Sequence, residues 1–350
     1  MTIAVYTDFK FYRSRHPDLY FIKNLLESFS IYHPQHQYYL LSPHSIDQFV
    51  AQHPTFTKND IRTSPGLFYN YRLNAKVSRT LEKIKADVVF SIDAFFKTKT
   101  PQMVLLTHLT KTLEKRKLGK AKSILVLSQN IKTELAAKYK LDPRSILLLP
   151  GGAGKLFEPI DEEMKSIIKE RHTDGKEFFV YRGRIKEENN IIKLLKGFSL
   201  FKKRQKSSMK FLLMGQVFWQ GGDFKKLIDT YKYKDDLVFV TDEVLAEEAN
   251  ILATAYATVQ PYEANNSFIF DAMQCGVPVL SLQSPDLKEI VADGAIFFDN
   301  DEAAIADKMM LVYKDEALRS RLIETGKEVC NTYSWKKTVD MVAEAFTNGK

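Results

Sequence analysis

The chain has 350 residues, 45% of them hydrophobic, which is enough for two domains, each with its own core, and gives no sign of disorder. Its two cysteines, Cys275 and Cys330, are too few for a disulfide framework and point to a reducing cytoplasm. No apolar run approaches the ~20 residues of a membrane span, and MTIAVYTDFKFYRSRH has no apolar stretch behind a basic one, so no signal peptide is expected.

The net charge of +8 is unevenly placed: residues 1–155 hold 24 Lys and Arg against 11 Asp and Glu, whereas residues 156–350 hold 27 against 32. Strand-like and helical segments alternate from the start. A strand at Ile3–Tyr6 is followed by a helix from about Asp18 to Tyr32, a strand at Gln37–Leu41, a helix near Leu73–Lys85 and a strand at Asp87–Phe90. Met103–Thr107, Ser123–Leu127 and Ile146–Leu149 complete the series, and this alternation argues for a parallel sheet. His108 ends one of these strands, where open α/β sheets place ligands; His33, His36, His44 and His53 lie in polar or Pro-adjacent segments and are expected at the surface. In KTLEKRKLGKAK, Lys111, Lys115, Arg116, Lys117, Lys120 and Lys122 face the single acid Glu114, a run that suits an anionic membrane surface or a solvated helix face. No nucleic-acid-binding motif accompanies it.

Pro150-Gly151-Gly152-Ala153-Gly154 is the densest turn cluster and the expected boundary between residues 1–153 and 154–335, with a last helix at 336–350 expected to pack back toward the first domain. A second series follows: strand Glu177–Arg182, helix Asn189–Lys203, and strands Lys210–Met214, Leu237–Val240 and Ala257–Gln260. Two such sheets predict two Rossmann-like, doubly wound α/β domains facing a cleft.

In PYEANNSFIFDAMQCGVPVLS, residues 261–281, Glu263 and Asp271 stand eight positions apart across a turn that opens a helix. Asn265, Asn266 and Ser267 read as its N-cap region, whose unpaired backbone N–H groups attract phosphate. Gly276 stops the helix, and Val277–Ser281 reads as a buried strand. The carboxylates suit sugar and ribose hydroxyls on either side of a diphosphate; taken alone, the stretch is also compatible with an ordinary helix start whose acids complement the dipole.

The stretch resembles the E-x7-E signature of the retaining glycosyltransferases of family 4, with Asp271 in place of the second glutamate and Ala264-Asn265-Asn266 in place of Gly-Phe-Gly. Asp271-Ala272-Met273, Cys275-Gly276 and Pro278-Val279 match as they stand. Gly183-Arg184 is similar to the family's Gly-Arg at the diphosphate, but the lysine expected about five residues on is Asn189 or Asn190, leaving Lys186 or Lys193 as substitutes. Gly215 resembles the glycine that lets the chain turn close to the ligand. Thr241 and Asp242 resemble the loop that receives the base, and Ser284–Val291 and Tyr333-Ser334-Trp335 match in order. His108 resembles the histidine facing the reacting sugar, with Leu109 in place of the following aspartate.

The resemblance implies a GT-B fold with an acceptor-binding first domain and a nucleotide-sugar-binding second one. It implies transfer, with retention, from a UDP- or GDP-sugar to a glycan, lipid-linked or polysaccharide acceptor of the cell envelope, without a required cofactor or metal. His108 and Glu263 would serve the reacting sugar, while Gly183, Arg184, Lys186, Gly215, Thr241, Asn265, Asn266, Ser267 and Asp271 would hold the nucleotide diphosphate. Two alternatives stay open: a sugar- or nucleotide-binding relative without turnover, and a nucleotide-sugar epimerase on the same fold.

Overall fold

The computed structural model describes residues 1–8, 17–44, 47–109, 118–218, 223–241, 243–262 and 266–348. Two compact units divide the chain: Met1–Gly151 with Trp335–Lys350, and Gly152–Ser334.

In the first unit, β1 (Thr2–Tyr6), β2 (Gln37–Ser42), β3 (Phe56–Asp60), β4 (Val88–Ile92), β5 (Gln102–Leu106), β6 (Ser123–Val126) and β7 (Ile146–Leu148) form a parallel sheet in the order 3-2-1-4-5-6-7. Alternation along each strand divides the core. Ile3, Val5, Phe90, Met103 and Leu105 face one side, against α1 (Pro17–Tyr32) and the last helix, whose Trp335, Val339, Val342 and Phe346 lie on one stripe. Ala4, Val89, Val104 and Leu106 face the other. There, after the short α2 (Asp47–Gln52), α3 (Tyr69–Lys83) buries Leu73, Val77 and Leu81, and α4 (Gln129–Tyr139) buries Leu135 and Tyr139.

The sequence pattern starts α3 four residues late because its N-cap is Phe68, which makes no side-chain capping bond and so leaves no signal. β3 escapes pattern reading because FTKND is a polar edge strand. Three histidines expected at the surface are half-buried beside carboxylates: His33 with Asp340, His44 with Asp8, and His53 with Glu27.

The second unit holds β8 (Phe178–Arg182), β9 (Lys210–Met214), β10 (Leu237–Val240), β11 (Ala257–Gln260), β12 (Val279–Leu282) and β13 (Ala295–Phe298), all parallel in the order 10-9-8-11-12-13. Its helices are α5 (Glu162–Thr173), α6 (Ile191–Gln205), α7 (Asp223–Asp229), α8 (Leu245–Thr254), α9 (Asn266–Gln274), α10 (Pro285–Val291), α11 (Glu302–Lys314) and α12 (Glu316–Thr332); α13 (Trp335–Asn348) returns to the first unit. Phe179, Tyr181, Phe198, Phe201, Phe211 and Leu280 belong to its main core. β12 begins two residues later than its apolar run suggests, because the Val277 N–H closes α9 by donating to the Ala272 carbonyl beside Gly276 at φ 72°.

Both sheets reverse strand order at one point, between β1 and β4 and between β8 and β11. Ligands of open α/β sheets bind outside the carboxyl ends of the strands at such switch points.

Candidate functional site

At the second switch point, β8 runs directly into Gly183-Arg184. Gly183 (φ 151°) and Gly215 after β9 (φ 142°) hold conformations that side-chain-bearing residues avoid. A Cβ on Gly215 would collide with the Gly183 carbonyl oxygen, and one on Gly183 would lie 2.5 Å from the Tyr262 hydroxyl. Two turns therefore pack backbone to backbone: Gly183 N–H donates to Met214 O at 3.0 Å, Gly215 N–H to Val240 O at 2.8 Å, and Ile185 N–H to Gln216 O at 2.8 Å. Arg184 follows, half-buried, with its guanidinium 4.8 Å from the Phe218 ring centroid.

Asn189, standing near the lysine position, is buried and faces inward. Its Nδ2 donates to the Arg184 carbonyl (2.8 Å) and to the Tyr181 hydroxyl (3.1 Å), and that hydroxyl donates to the same carbonyl at 2.6 Å. Asn189 thus pins the turn that carries Arg184. Lys193 donates to the Asn300 carbonyl and side chain at 3.1 and 3.0 Å and is engaged there. Lys186 occupies the N-cap position of the short helix Glu187–Asn189 without a side-chain capping bond and stays partly accessible.

Sequence reading missed the next residue back. Arg182, at the end of an otherwise apolar strand, is buried with its guanidinium carbon 4.5 Å from the Phe157 ring centroid and 4.3 Å from that of Phe268. It pairs with Asp271 at 2.5 Å and with Glu248 at 3.5 Å. Asp271 is fully buried inside α9, one carboxylate oxygen taken by Arg182 and the other accepting from the Gly154 N–H at 2.7 Å. The carboxylate expected to meet ribose hydroxyls, one methylene shorter than glutamate, thus sits in the interior with both oxygens bonded to protein groups. The missed signal was an arginine closing the strand FFVYR, a charge whose burial requires an acid.

Burial, then the Asp271 charge, push the Cys275 thiol well up, and the same two causes push Cys330 up to about 12. Asn266 opens α9 and Ser267 is buried in its first turn. Thr241 follows β10 directly. Glu263, Asn265 and Asp242 lie outside the described residues, as do Lys111, Lys115, Arg116 and Lys117. Among the described residues, no group of His, Cys, Asp and Glu has metal-site geometry.

In the first unit, His108 stands just beyond β5 with its side chain 59% exposed. Asp93, just past β4 at φ 51°, accepts from the Thr107 N–H at 2.9 Å and from the Thr107 hydroxyl at 2.6 Å. That hydroxyl oxygen lies 2.9 Å from His108 Nδ1. An ionised carboxylate only accepts, so the Thr107 proton is committed to Asp93 and its oxygen can only accept from His108 Nδ1–H. With Nδ1 as the donor, Nε2 is the ring nitrogen turned away from the relay. A separate groove of about 1450 Å³ runs beside α3, with Asn70, Asn74, Gln102, Lys97, Lys99 and Lys120 in its walls.

Residues 163–329 match the family described as Glycosyl transferases group 1. The match lies within the second unit and spans β8 to β13, including Gly183-Arg184 and α9. O-antigen chain mannosyltransferase B of Escherichia coli is 23% identical over 239 residues, covering 65% of this chain and 61% of that relative's length. A glycosyltransferase from Rickettsia africae superposes with TM-score 0.82 at 14% identity over 99% of both chains. Anabaena HepE in complex with UDP and glucose does so with TM-score 0.78 at 12% identity, again over 99% of both. The fold is that of the GT-B glycosyltransferases. No helix among the described residues is long and apolar enough to cross a membrane.

Proposed function

We propose that this chain is a glycosyltransferase that moves a hexose from a UDP- or GDP-sugar to a glycan, lipid-linked or polysaccharide acceptor of the cell envelope, with retention of configuration. The observation that carries this reading is the paired glycine turn at the second switch point, which sets Arg184 beside the strand end that leads to α9. Negative charge grows on the diphosphate as the bond to the sugar breaks. Arg184 and Lys186 stabilise it electrostatically, together with the N–H groups of α9 at Asn266 and Ser267. Gly183 and Gly215 allow close approach, and Thr241 lies on the base side. Asp271 acts by position: through Arg182 and Gly154 it holds α9 and the segment entering the unit in place. In the first unit, His108 presents Nε2 to a sugar hydroxyl. Support also comes from the group 1 match, from the related mannosyltransferase and from the neighbour in complex with UDP and glucose. The chain works at the inner, anionic membrane face.

A second reading, binding without turnover, is favoured by Asn189 and Lys193, since neither supplies the cation that the family pattern places near the diphosphate. A thermal-shift panel of UDP, GDP, ADP and TDP with their sugars tests binding, because a ligand of the native state raises apparent stability. Arg184→Ala is expected to weaken the best nucleotide by about 1.5–3 kcal/mol, read by calorimetry. Unchanged affinity would remove the proposed site. Tight binding without sugar transfer to any acceptor, or to water, would favour the second reading.

A further inference from the structure

The start of α3 exposes an apolar tip. Leu67 is 94% exposed, Phe68 64% and Tyr71 76%, and all three lie on one turn. The tip is held in shape: Arg72 Nη2 donates to the carbonyls of Ser64 (2.7 Å) and Pro65 (3.3 Å), and the Tyr69 N–H donates to Gly66 O at 2.9 Å. Phe68 occupies the N-cap, where Ser, Thr, Asn or Asp would bond the free N–H groups, so a large apolar ring stands there at the expense of a cap.

The segment that carries the tip is cationic. Between residues 57 and 79 stand Lys58, Arg62, Arg72, Lys76 and Arg79 against one acid, Asp60, which Arg62 already engages. Lys76 donates to the Arg62 carbonyl at 2.7 Å, which fixes the collar to the helix. No acid sits in the first turn of α3, so the positive end of the helix dipole adds to the same field.

We infer that this tip docks on an anionic lipid bilayer, with Leu67, Phe68 and Tyr71 entering the headgroup–acyl boundary and the cations meeting lipid phosphates. Three side chains on one turn fall short of the roughly 800 Å² a side that a stable protein interface buries. They suit shallow, reversible insertion, in which aliphatic and aromatic groups enter the interface and each nearby cation adds attraction to anionic lipid. The inference deepens the membrane-face part of the proposed function and rests on it for its purpose.

The test uses the full chain and vesicles of phosphatidylcholine with and without phosphatidylglycerol, read by cosedimentation at low salt. Binding is expected only with phosphatidylglycerol and is expected to weaken as salt screens the collar. The combined variant Leu67→Ser, Phe68→Ser, Tyr71→Ser is expected to lose about tenfold or more in vesicle affinity, while its thermal unfolding and its response to the nucleotide panel stay unchanged. In Phe68→Trp, emission is expected to shift blue on vesicles and to be quenched by brominated lipid. No binding to phosphatidylglycerol vesicles, or binding that the triple variant keeps, overturns the inference. Nucleotide binding is read without vesicles, so failure there would count against the transferase reading alone.

Discussion

The two units repeat one strand order, yet their carboxyl ends are built from opposite materials. In the second unit the switch point is underpinned by buried charge: Arg182 lies between two phenylalanines and is neutralised by Asp271 and Glu248. In the first, the strand ends carry a half-exposed chain of hydrogen bonds from Asp93 through Thr107 to His108. Topology decides where a ligand end lies. Burial decides what a polar residue there can do, because a buried charge must spend its bonds on a partner while an exposed one keeps an atom for a ligand.

The largest test of this contrast compares two aspartates. Asp271→Ala strands a buried guanidinium and is expected to cost about 3–5 kcal/mol in urea unfolding; Asp93→Ala removes half-exposed bonds and is expected to cost about 1–2 kcal/mol. Equal losses would break the distinction. Next come two glycines with positive φ. Gly215→Ala drives a Cβ into the backbone of Gly183 and is expected to cost about 2–4 kcal/mol and to weaken nucleotide binding. Gly66→Ala, where the nearest atom is Arg72 Nη2 at 3.7 Å, meets no backbone and is expected to cost less, about 1–3 kcal/mol from its positive φ alone.

A smaller effect sharpens the first unit. Thr107→Val removes the acceptor for His108 Nδ1–H and is expected to shift the tautomer balance by about 1 kcal/mol, visible in the ring nitrogen chemical shifts. Unchanged shifts would show that the relay does not orient the ring.

The smallest concerns the thiols. With Cys330 pushed up to about 12 from an ordinary 9.0, the folded state favours the neutral thiol. Its contribution to stability is present below pH 9.0 and is lost as pH rises toward 12. Neither Cys275 nor Cys330 is therefore expected to react with a thiol reagent in the native protein at pH 8, and ready labelling there would contradict their burial.

Strand alternation, the glycine turns and the helix opening near Asn266 were legible in the sequence, because a local apolar period and a positive φ each leave a residue-type trace. Arg182 left only a charge at the end of an apolar strand, and Asn189 read as a missing cation when it is a clamp on the Arg184 turn. Asp93 was passed over because a single acid after a strand has no pattern; its meaning comes from Thr107, fourteen residues on.

Amino-acid order by itself determined two parallel α/β sheets and the position of their ligand ends, since these follow from local periodicity and from the handed, short connections that such chains obey. Which carboxylate faces an arginine was decided only in three dimensions. Asp271 and Arg182 are 89 residues apart, and burial, which no local pattern records, joins them as an internal ion pair.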